Sequence, residues 1–424
     1  MIIILGAGVA GISAAYHLGL NGKKSIVFEK ENTWGGLVDN FELNGFRFDK
    51  AIHLSFTKNK YVQEILEKSS NFYLYTPKIS NYCDGTWIKH PVQNNLYSLK
   101  LMEKIKILKG FIRRRKCEGH NIRNYEEWLK YHYGDYFTKK FPMRYTRKYW
   151  RVEAKELTID WIGSRMYKST IKEVLNGCIH KVTPYTYYGG EMRYPKKGGY
   201  KSFFEDMAKK CNIKYNKEVF SVDPIKKNIY FKDGTLKKYK VLISSLPLPE
   251  LIKMIQGVPE DIRTSAEKLS WTSIALVSLG FNKPNIPKNM WFYIYDEDFL
   301  PSRVYSPSLK SADNVPPGCS SLQFEIYFTK HEENKKTKEE LIKHVVNKFK
   351  KMHLFKEEDI IIKDCRIIEY GNVIFDHNLN ENRKTVQRYL DTLGIHYIGR
   401  FGKWDYLWSD QSLLTGKKVA EKLV

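Results

Sequence analysis

A glycine-rich turn lies between two apolar segments near the start of the sequence. Residues 2–5 are apolar, the run Gly6-Ala7-Gly8-Val9-Ala10-Gly11 follows at once, and a second apolar segment, residues 25–28, ends on Glu29. In this order the first glycine permits a tight turn, the second lets the backbone approach a pyrophosphate, and the third lets a helix pack on the strand. The acid is placed to accept a ribose hydroxyl. The pattern therefore predicts a dinucleotide site formed by Gly6, Gly8, Gly11 and Glu29.

The chain returns to this nucleotide-binding unit twice after leaving it. Apolar strands are predicted at residues 241–244 and 395–398, and the second leads into Gly399-Arg400-Phe401-Gly402 and a last helix over residues 409–423. FAD oxidoreductases interrupt the dinucleotide fold in this way, whereas NAD dehydrogenases usually keep it contiguous. The organisation therefore predicts FAD as the cofactor.

The coarse pattern predicts an α/β fold with three parts. A discontinuous, Rossmann-like FAD-binding domain with an interrupted sheet is expected over residues 1–97, 190–250 and 390–424. Residues 98–189 are mainly helical and rich in aromatic side chains, which predicts an inserted helical subdomain. Residues 251–389 contain alternating segments and one charged helix, which predicts a substrate-binding domain with an antiparallel β-sheet.

Composition limits the function classes. Of 424 residues, 71 are Lys or Arg, which gives a net charge of +24. The lysines are spread along the whole chain, so we do not expect nucleic-acid binding. Six scattered cysteines, without a C-x-x-C pair or a histidine cluster, favour reduced thiols in a cytoplasmic protein with no metal. We expect neither a transmembrane helix, since no apolar run reaches about 18–20 residues, nor a signal peptide.

Residues 100–116 are the one concentrated basic stretch. Leu101, Ile105, Leu108 and Ile112 fall on one helical face, and lysines and arginines supply the charge. We expect a helix that packs on the core and presents its basic face to solvent. The alternative is a helix on a membrane surface, with peripheral membrane association.

Six stretches, spread in order over nearly the full length, carry a resemblance to a known family. Together with Gly35-Gly36 they make the chain similar to the UDP-galactopyranose mutases, and closer to the eukaryotic-type branch than to the short bacterial one. That family lies within the larger group of flavin amine oxidases and protoporphyrinogen oxidases. The stretches are FRFDKAIHLSF (46–56), GTWIKHPVQNNL (85–96), YEEWLKYHYGDYFTKKFPMRYTRKYW (125–150), WIGSRM (161–166), YPKKGGYKSFFEDMA (194–208) and GRFGKWDYLWSDQS (399–412).

The resemblance implies a nucleotide-sugar substrate, a pyranose–furanose interconversion and a role in cell-surface glycan biosynthesis. In that family reduced FAD is the active form, and its N5 attacks the anomeric carbon and displaces the diphosphate. Such a site needs cations and aromatic groups around the diphosphate. The eukaryotic-type enzymes use NADPH as the reductant, although no second glycine fingerprint is present here. The oligomeric state is left open.

The resemblance also assigns residues. The expected catalytic and diphosphate-binding residues are His53, against the flavin, and Arg165, Arg303 and Tyr406. The expected further substrate contacts are Trp291, Tyr293 and Tyr370. The expected further cofactor contacts are Gly35, Gly36, Val219, Gly399, Arg400 and Ser409, of which Ser409 also has the side chain of a good helix N-cap. For His53 the plainer interpretation is a core histidine, for the two arginines surface salt bridges, and for the strand aromatics core packing.

This chain departs from the family in three places. Ala51 and Ile52 precede the histidine where the family has glycines, Phe375 stands where the family has a hydroxyl-bearing tyrosine, and the run after Tyr406 is shortened to Ser409-Asp410-Gln411-Ser412. These changes indicate that the sugar or the nucleobase differs from UDP-galactose, with another UDP- or dTDP-sugar as the expectation. The alternative functions are an FAD-dependent oxidase or desaturase of the amine oxidase or protoporphyrinogen oxidase type, and a flavin-binding protein without turnover.

Overall fold

The computed structural model describes residues 1–76, 78–114, 122–184, 191–332 and 336–423. The strands, β1 to β19 in chain order, are Ile2–Leu5, Ser25–Phe28, Asn40–Leu43, Phe46–Asp49, Phe72–Tyr75, Ile79–Cys83, Thr86–Lys89, Met192–Pro195, Ile213–Lys214, Val219–Asp223, Asn228–Phe231, Leu236–Lys238, Val241–Ser244, Trp271–Phe281, Trp291–Ile294, Arg303–Tyr305, Ser320–Phe328, Ile360–Val373 and Ile395–Tyr397. The helices, α1 to α15, are Val9–Leu20, Lys60–Ser69, Leu101–Arg113, Tyr125–Tyr133, Asp135–Lys140, Pro142–Tyr149, Ile171–Ile179, Glu205–Lys209, Leu248–Met254, Glu260–Glu267, Pro307–Lys310, Lys338–Lys351, Leu379–Thr392, Gly399–Gly402 and Ser409–Lys422.

A parallel sheet in the order β19-β13-β1-β2-β9 forms the nucleotide-binding unit. β1 lies near its middle and pairs with β13 on one side and β2 on the other. Its residues Ile3, Ile4 and Leu5 are fully buried, as expected of a parallel strand covered on both faces. The predicted double interruption is confirmed, because β13 and β19 join this sheet from far along the chain.

A second sheet has seven strands, in the order β18-β14-β17-β16-β15-β6-β7. The strands from residues 251–389, β14 to β18, pair antiparallel, which confirms the predicted antiparallel sheet. The addition of β6, which is parallel to β15, makes the whole sheet mixed. The strands β6 and β7 come from residues 79–89, which the predicted boundaries assign to the FAD-binding domain. Helix α12 covers one face of this sheet with Val345, Val346 and Phe349.

Helices α3 to α7 form the inserted helical part that the sequence predicts between residues 98 and 189, of which residues 115–121 and 185–189 lie outside the described residues. Phe111 of α3 packs against Tyr133 and Phe137 of the neighbouring helices. The expectation for α3 is wrong in its packing. Leu101 and Ile112 of the predicted core face are exposed, because Ile107 and Phe111 on another side of the helix are buried instead.

Two short local structures complete the fold around the nucleotide-binding unit. An Asn-Gly pair is typical of a tight hairpin turn, and Asn44-Gly45 joins β3 to β4 with both turn residues at positive φ. A 3₁₀ turn, Tyr200–Phe204, leads directly into the short helix α8. No helix in the described part of the chain is both long and apolar enough to cross a bilayer.

Candidate active site

The glycine turn after β1 has the geometry of a nucleotide-binding loop. Gly6 adopts a φ of +90°, and a Cβ there would lie 2.5 Å from the Oγ of Ser245. A Cβ on Gly11 would lie 2.0 Å from the carbonyl oxygen of Gly6, so α1 can start this close to the turn only without a side chain. At Gly8 a Cβ would meet no atom within 4 Å. The backbone at Gly8 therefore borders open space, as approach by a pyrophosphate requires.

Glu29 and the second glycine pair lie against this turn. One carboxylate oxygen of Glu29 accepts a hydrogen bond of 2.7 Å from the N–H of Ala7, and the other accepts one of 3.0 Å from Glu31. The N–H of Gly35 donates to the carbonyl of Ala7 at 2.9 Å. Gly35 and Gly36 both have positive φ. The structure thus brings together the residues predicted to hold the adenosine and pyrophosphate end of the cofactor.

Val219 and Gly399 approach the same unit from distant parts of the chain. Val219 is buried in a cluster that includes Phe28, the last residue of β2. Gly399 has a φ of +76°, and a Cβ there would lie 2.8 Å from the Cβ of Ala10 on α1. The segment that follows β19 can therefore approach the first turn of α1 only with glycine at this position.

Tyr406 lies under two guanidinium groups. The guanidinium of Arg165 is 4.5 Å from the ring centre of Tyr406, and that of Arg400 is 4.6 Å from it. Arg165 also lies 4.3 Å over the ring of Trp408 and donates to the carbonyl oxygen of Tyr406 at 2.5 Å. Aromatic faces and carbonyl oxygens position a guanidinium without cancelling its charge. Such cations suit the oxygens of a diphosphate.

The hydroxyl of Tyr406 belongs to a short polar chain. It lies 2.8 Å from the hydroxyl of Tyr149, which donates to the amide oxygen of Asn372 at 3.2 Å. Arg400 donates to the same amide oxygen at 2.7 Å. Phe375, which lacks a hydroxyl, packs with its ring centre 6.1 Å from that of Tyr406. A tyrosine hydroxyl is therefore present beside Tyr406, but it comes from α6 rather than from residue 375.

Arg303 lies on the second sheet, as the first residue of β16. Arg303 of β16 pairs with Tyr293 of β15 on one side and with Glu325 of β17 on the other. The guanidinium of Arg303 bonds to the fully buried carboxylate of Glu325 at 2.6 Å. Burial alone would lower the pKa of Arg303, but the facing carboxylate raises it well above its ordinary value. Arg303 is therefore a permanent cation that already has one anionic partner.

Tyr327 joins Arg303 to the Tyr406 cluster. Its hydroxyl donates to Glu325 at 2.9 Å and lies 3.5 Å from a guanidinium nitrogen of Arg303. Its ring centre is 4.6 Å from that of Tyr149. The three predicted diphosphate-binding residues thus line one continuous region, with Tyr149 and Tyr327 between them.

His53 lies at the edge of this region nearest the nucleotide-binding unit. Its Nδ1 is 3.1 Å from the carbonyl oxygen of Ala51, and its ring stacks on Tyr200 with centres 5.1 Å apart. Burial lowers the pKa of His53 to about 4. The ring is therefore neutral near pH 7, with Nδ1 donating to the carbonyl and Nε2 left as an acceptor. The preceding Ile52 N–H donates to Glu325 at 3.0 Å, which ties the histidine segment to the second sheet.

Ser409 does not have the expected capping role. It is the first residue of α15, and the N-cap is Trp408, whose N–H donates to the side chain of Gln411 at 2.9 Å. The Ser409 hydroxyl lies 2.8 Å from that of Tyr200, behind His53. The first residue of α15 therefore contacts the tyrosine on which His53 stacks.

The three further predicted substrate residues have different surroundings. Trp291 is buried between the strands and the segment around residue 52, and Tyr293 packs against Tyr145 with ring centres 5.5 Å apart. Tyr370 is not brought into the cluster. Its hydroxyl donates to Glu250 at 2.8 Å and its ring stacks on Trp271.

The residues present fit a flavin dinucleotide. The open border at Gly8, the carboxylate of Glu29 and the helix start of α1 suit the adenosine and pyrophosphate. His53, Tyr200 and the first residue of α15 contact one another and would line the isoalloxazine. In the described residues no group of histidine, cysteine and acidic side chains is arranged to hold a metal ion.

Fold and site together define a protein of the flavin-dependent oxidoreductase class. The chain belongs to the family of flavin containing amine oxidoreductases, whose profile matches residues 9–364. It is therefore a flavoenzyme of that family, and FAD is the cofactor that the dinucleotide-binding unit fits.

Several solved structures share this fold. A reduced UDP-galactopyranose mutase aligns with a TM-score of 0.92 at 23% identity, over 100% of this chain and 95% of that one. A protein described as a putative protoporphyrinogen oxidase from Exiguobacterium sp. 255-15 aligns with a TM-score of 0.77 at 13% identity, over 100% and 98%. A putrescine oxidase variant gives 0.69 at 13%, over 100% and 98%. At these identities the likeness shows the fold.

One curated relative matches only a short part of the chain. The all-trans-retinol 13,14-reductase of Danio rerio is 28% identical over 99 residues. That stretch is 23% of this chain and 16% of the reductase. The match therefore carries no argument about the reductase's activity.

Sequence reasoning missed several residues of the cluster. Tyr149, Asn372, Glu325 and Tyr327 have polar atoms bonded into it, but none of them stands in a glycine-rich or capping motif. The available signal was the tyrosine pair at positions 145 and 149, which are four residues apart and so lie on one face of α6.

Proposed function

We propose that this protein is an FAD-dependent nucleotide-sugar mutase that interconverts the pyranose and furanose forms of a UDP- or dTDP-linked sugar for glycan biosynthesis. The observation that carries the proposal is the convergence of Arg165 and Arg400 on Tyr406, whose partner Tyr149 is linked to Arg303 through Tyr327. Three guanidinium groups beside a flavin site suit a substrate that carries a diphosphate. The reaction would leave no net redox change, with NADPH as the reductant that prepares the cofactor.

Each group has a defined task in this proposal. Reduced FAD would supply the nucleophile for the anomeric carbon. Arg165 and Arg400 would hold the departing diphosphate. The hydroxyl of Tyr406, positioned by that of Tyr149, would redirect its proton from Tyr149 to the diphosphate oxygens as charge develops. Neutral His53 would present Nε2 as an acceptor towards the flavin edge. Arg303, held by Glu325, would bind the part of the diphosphate that is nearer the sugar.

The chain's departures from the mutase pattern bear on the substrate. Phe375 offers no hydroxyl, and the hydroxyl of Tyr149 stands beside Tyr406 instead. The polar contacts around the diphosphate are therefore redistributed rather than lost, which supports a nucleotide sugar other than UDP-galactose.

The reaction can be tested directly. Dithionite-reduced protein is incubated with a panel of UDP- and dTDP-sugars, and the sugar ring size is followed by NMR. We expect conversion between six- and five-membered rings without consumption of reductant. A parallel aerobic incubation uses the protein with oxidised FAD. Oxidised product with release of hydrogen peroxide there would instead establish an oxidase, the second candidate, which the dense aromatic lining of Tyr145, Tyr293 and Trp150 favours.

The diphosphate role of Arg165 is tested by Arg165→Ala. We expect FAD to stay bound while affinity for the nucleotide sugar falls about a hundredfold, since hydrogen bonds to charged groups contribute about 1.5–3 kcal/mol each. Arg123→Ala is the matched control, because Arg123 is exposed and bonds to Glu127 on the outer surface. Equal affinity of the Arg165 variant and the native protein, by titration calorimetry with UDP- and dTDP-sugars, would refute the assignment.

A further inference from the structure

Helix α3 presents an apolar and basic face to solvent. Leu101 is 71% exposed, Met102 61% and Ile112 70%. At about 100° per residue, these side chains and those of Lys106, Lys109 and Arg113 fall within an arc of about 140°. The opposite side carries the buried Ile107 and Phe111. The exposed arc therefore mixes apolar side chains with three cations and contains no carboxylate.

Helix α7 presents a second apolar stripe. Ile171, Leu175 and Ile179 recur every four residues and are all exposed, while Val174 and Cys178 on the other side are buried. Val182, just beyond the helix, is 84% exposed. Three consecutive exposed apolar residues at helical spacing form a continuous stripe rather than scattered surface residues.

The two helices that carry these stripes are neighbours. Lys104 of α3 donates to the carbonyl of Cys178 at 3.1 Å and lies 5.1 Å over the ring of Tyr97, which is itself 48% exposed. Near the end of α7, Lys89 donates to the carbonyl of Thr183 at 2.7 Å. We call this surface, made by the exposed sides of α3 and α7 with Tyr97 and Val182, the α3–α7 face.

The charge around the α3–α7 face is positive. Exposed cations on its two helices and at their ends are Lys100, Lys106, Lys109, Arg113, Lys168, Lys172 and Lys181. The two carboxylates of these helices are already bonded. Glu103 pairs with Lys140 at 2.8 Å, and Glu173 caps α7 through the N–H of Thr170 at 2.7 Å. Neither neutralises the exposed lysines.

We propose that the α3–α7 face binds the surface of an anionic lipid bilayer. Apolar side chains in the exposed arcs can enter the boundary between headgroups and acyl chains, while the flanking lysines and arginines meet anionic headgroups. A second copy of the chain is the less suitable occupant, because two such faces would bring like charges together, and the whole chain carries a net charge of +24. The α3–α7 face includes none of the residues that form the flavin and diphosphate site, so this inference does not depend on the proposed reaction.

The test is co-sedimentation of the FAD-loaded protein with vesicles. Phosphatidylcholine vesicles with and without phosphatidylglycerol are compared at low and high salt. We expect binding to the anionic vesicles, weakened by salt, and little binding to phosphatidylcholine alone. Absence of binding to the anionic vesicles at low salt would overturn the proposal.

A double variant, Leu175→Glu with Ile179→Glu, locates the surface. We expect the fraction bound to anionic vesicles to fall about tenfold or more, with FAD absorbance and thermal unfolding unchanged because both side chains are exposed. The matched control is Phe220→Glu with Ile225→Glu, two exposed apolar residues at β10 and the turn after it, which should bind as the native protein does.

Two results with the double variant would contradict the proposal. Binding equal to that of the native protein would show that another surface contacts the lipid. A native dimer in sedimentation velocity that dissociates in the variant would show that a second copy covers the α3–α7 face. If the double variant loses FAD, the milder Leu175→Ser and Ile179→Ser changes give the same comparison in a folded protein.

Discussion

Tyr406 shows how the site depends on single side chains from separate parts of the chain. Its ring lies under Arg165 and Arg400, and its hydroxyl meets that of Tyr149. Burial raises the pKa of Tyr149 well above its ordinary value, so this hydroxyl stays protonated and able to donate. Because Tyr149 donates to Asn372, its oxygen accepts from Tyr406, and this hydrogen-bond chain fixes the position of the Tyr406 hydroxyl.

Removing one hydroxyl tests this chain. Tyr149→Phe should lower kcat/KM for the nucleotide sugar about tenfold, since a neutral hydrogen bond contributes about 1 kcal/mol. FAD binding should be unchanged. Tyr133→Phe is the control, because the Tyr133 hydroxyl donates to a carbonyl within the helical part, at Tyr167. Unchanged kcat/KM in the Tyr149 variant would show that its hydroxyl only supports packing.

Some of these residues could be predicted and others could not. Arg165 and Tyr406 stand in recognisable stretches, but their separation of 241 positions is closed only by the fold. Tyr149 and Asn372 have no such setting, because a tyrosine among aromatics on a helix and an asparagine on a strand suit plain packing equally well. Tyr370 was predicted to contact the substrate, but its hydroxyl donates to Glu250 instead.

Among the helices and strands, the close packing of α15 on α1 completes the nucleotide-binding unit. A Cβ on Gly416 of α15 would lie 2.3 Å from the carbonyl oxygen of Ala10 and 2.7 Å from the nitrogen of Ala14. Both contacts are to helix backbone, which cannot move aside as a flexible side chain can. The two helices therefore approach this closely only because residue 416 is glycine.

Gly416→Ala should force α15 away from α1. We expect a destabilisation of about 1–3 kcal/mol, typical of overpacking, together with weaker retention of FAD. The measurements are urea unfolding and flavin fluorescence after gel filtration. Gly19→Ala is the control, because Gly19 lies on the exposed end of α1 with no atom near a Cβ, and alanine there should leave stability equal or higher.

A second contact between elements joins Arg151, just after α6, to Glu332, just after β17 of the second sheet. Glu332 bonds to Arg151 and accepts from the N–H of Thr329 at 3.0 Å. Burial alone would raise the pKa of Glu332, but the guanidinium and the N–H lower it to about 2. The folded pKa lies below the ordinary value of 4.5, so the ionised carboxylate stabilises the fold above that pH, and the contribution is lost as pH falls towards 2.

Glu332→Gln should therefore lower the free energy of unfolding by an amount that depends on pH. Near neutral pH we expect a loss of about 1 kcal/mol, discounted for partial exposure, and a smaller loss as the pH is lowered below the ordinary carboxyl pKa. Urea midpoints of both proteins across this range give the measurement. A difference that stays constant with pH would mean that the carboxylate charge contributes nothing.

Elements were predictable where the signal is local. The hairpin at Asn44-Gly45 and the unit β1-α1-β2 follow from turn chemistry and apolar spacing within a few residues. The parallel pairing of β15 with β6 does not, because it joins segments about two hundred residues apart. The prediction of which face of α3 is buried was also wrong, because either side of that helix carries enough apolar residues to form a core contact.

At the scale of the whole molecule, the cofactor site is assembled from segments at both ends of the chain. FAD contacts expected from the glycine turn, Glu29, Val219 and Gly399 belong to four separate segments. A ligand that binds only when these segments are together must stabilise the folded state as a whole.

FAD removal should lower stability by the linkage relation. At a free FAD concentration about a hundredfold above its Kd, the holoprotein should be about 2.7 kcal/mol more stable than the apoprotein. Thermal unfolding at increasing FAD concentration checks this. A melting temperature that does not change with FAD would show that the cofactor binds the unfolded chain equally well or does not bind.

The sheet order also bears on how the protein is made. β1 is synthesised first, yet its sheet is completed by β13 and then by β19, and α1 is covered by α15. During translation Ile3 and Ile4 therefore stay unpaired on one side until β13 has left the ribosome, and α1 stays uncovered until residues near 416 have followed. Flavin capture is accordingly a late event, and a ribosome-bound nascent chain that stops before β19 should remain colourless and depend on chaperones for its solubility.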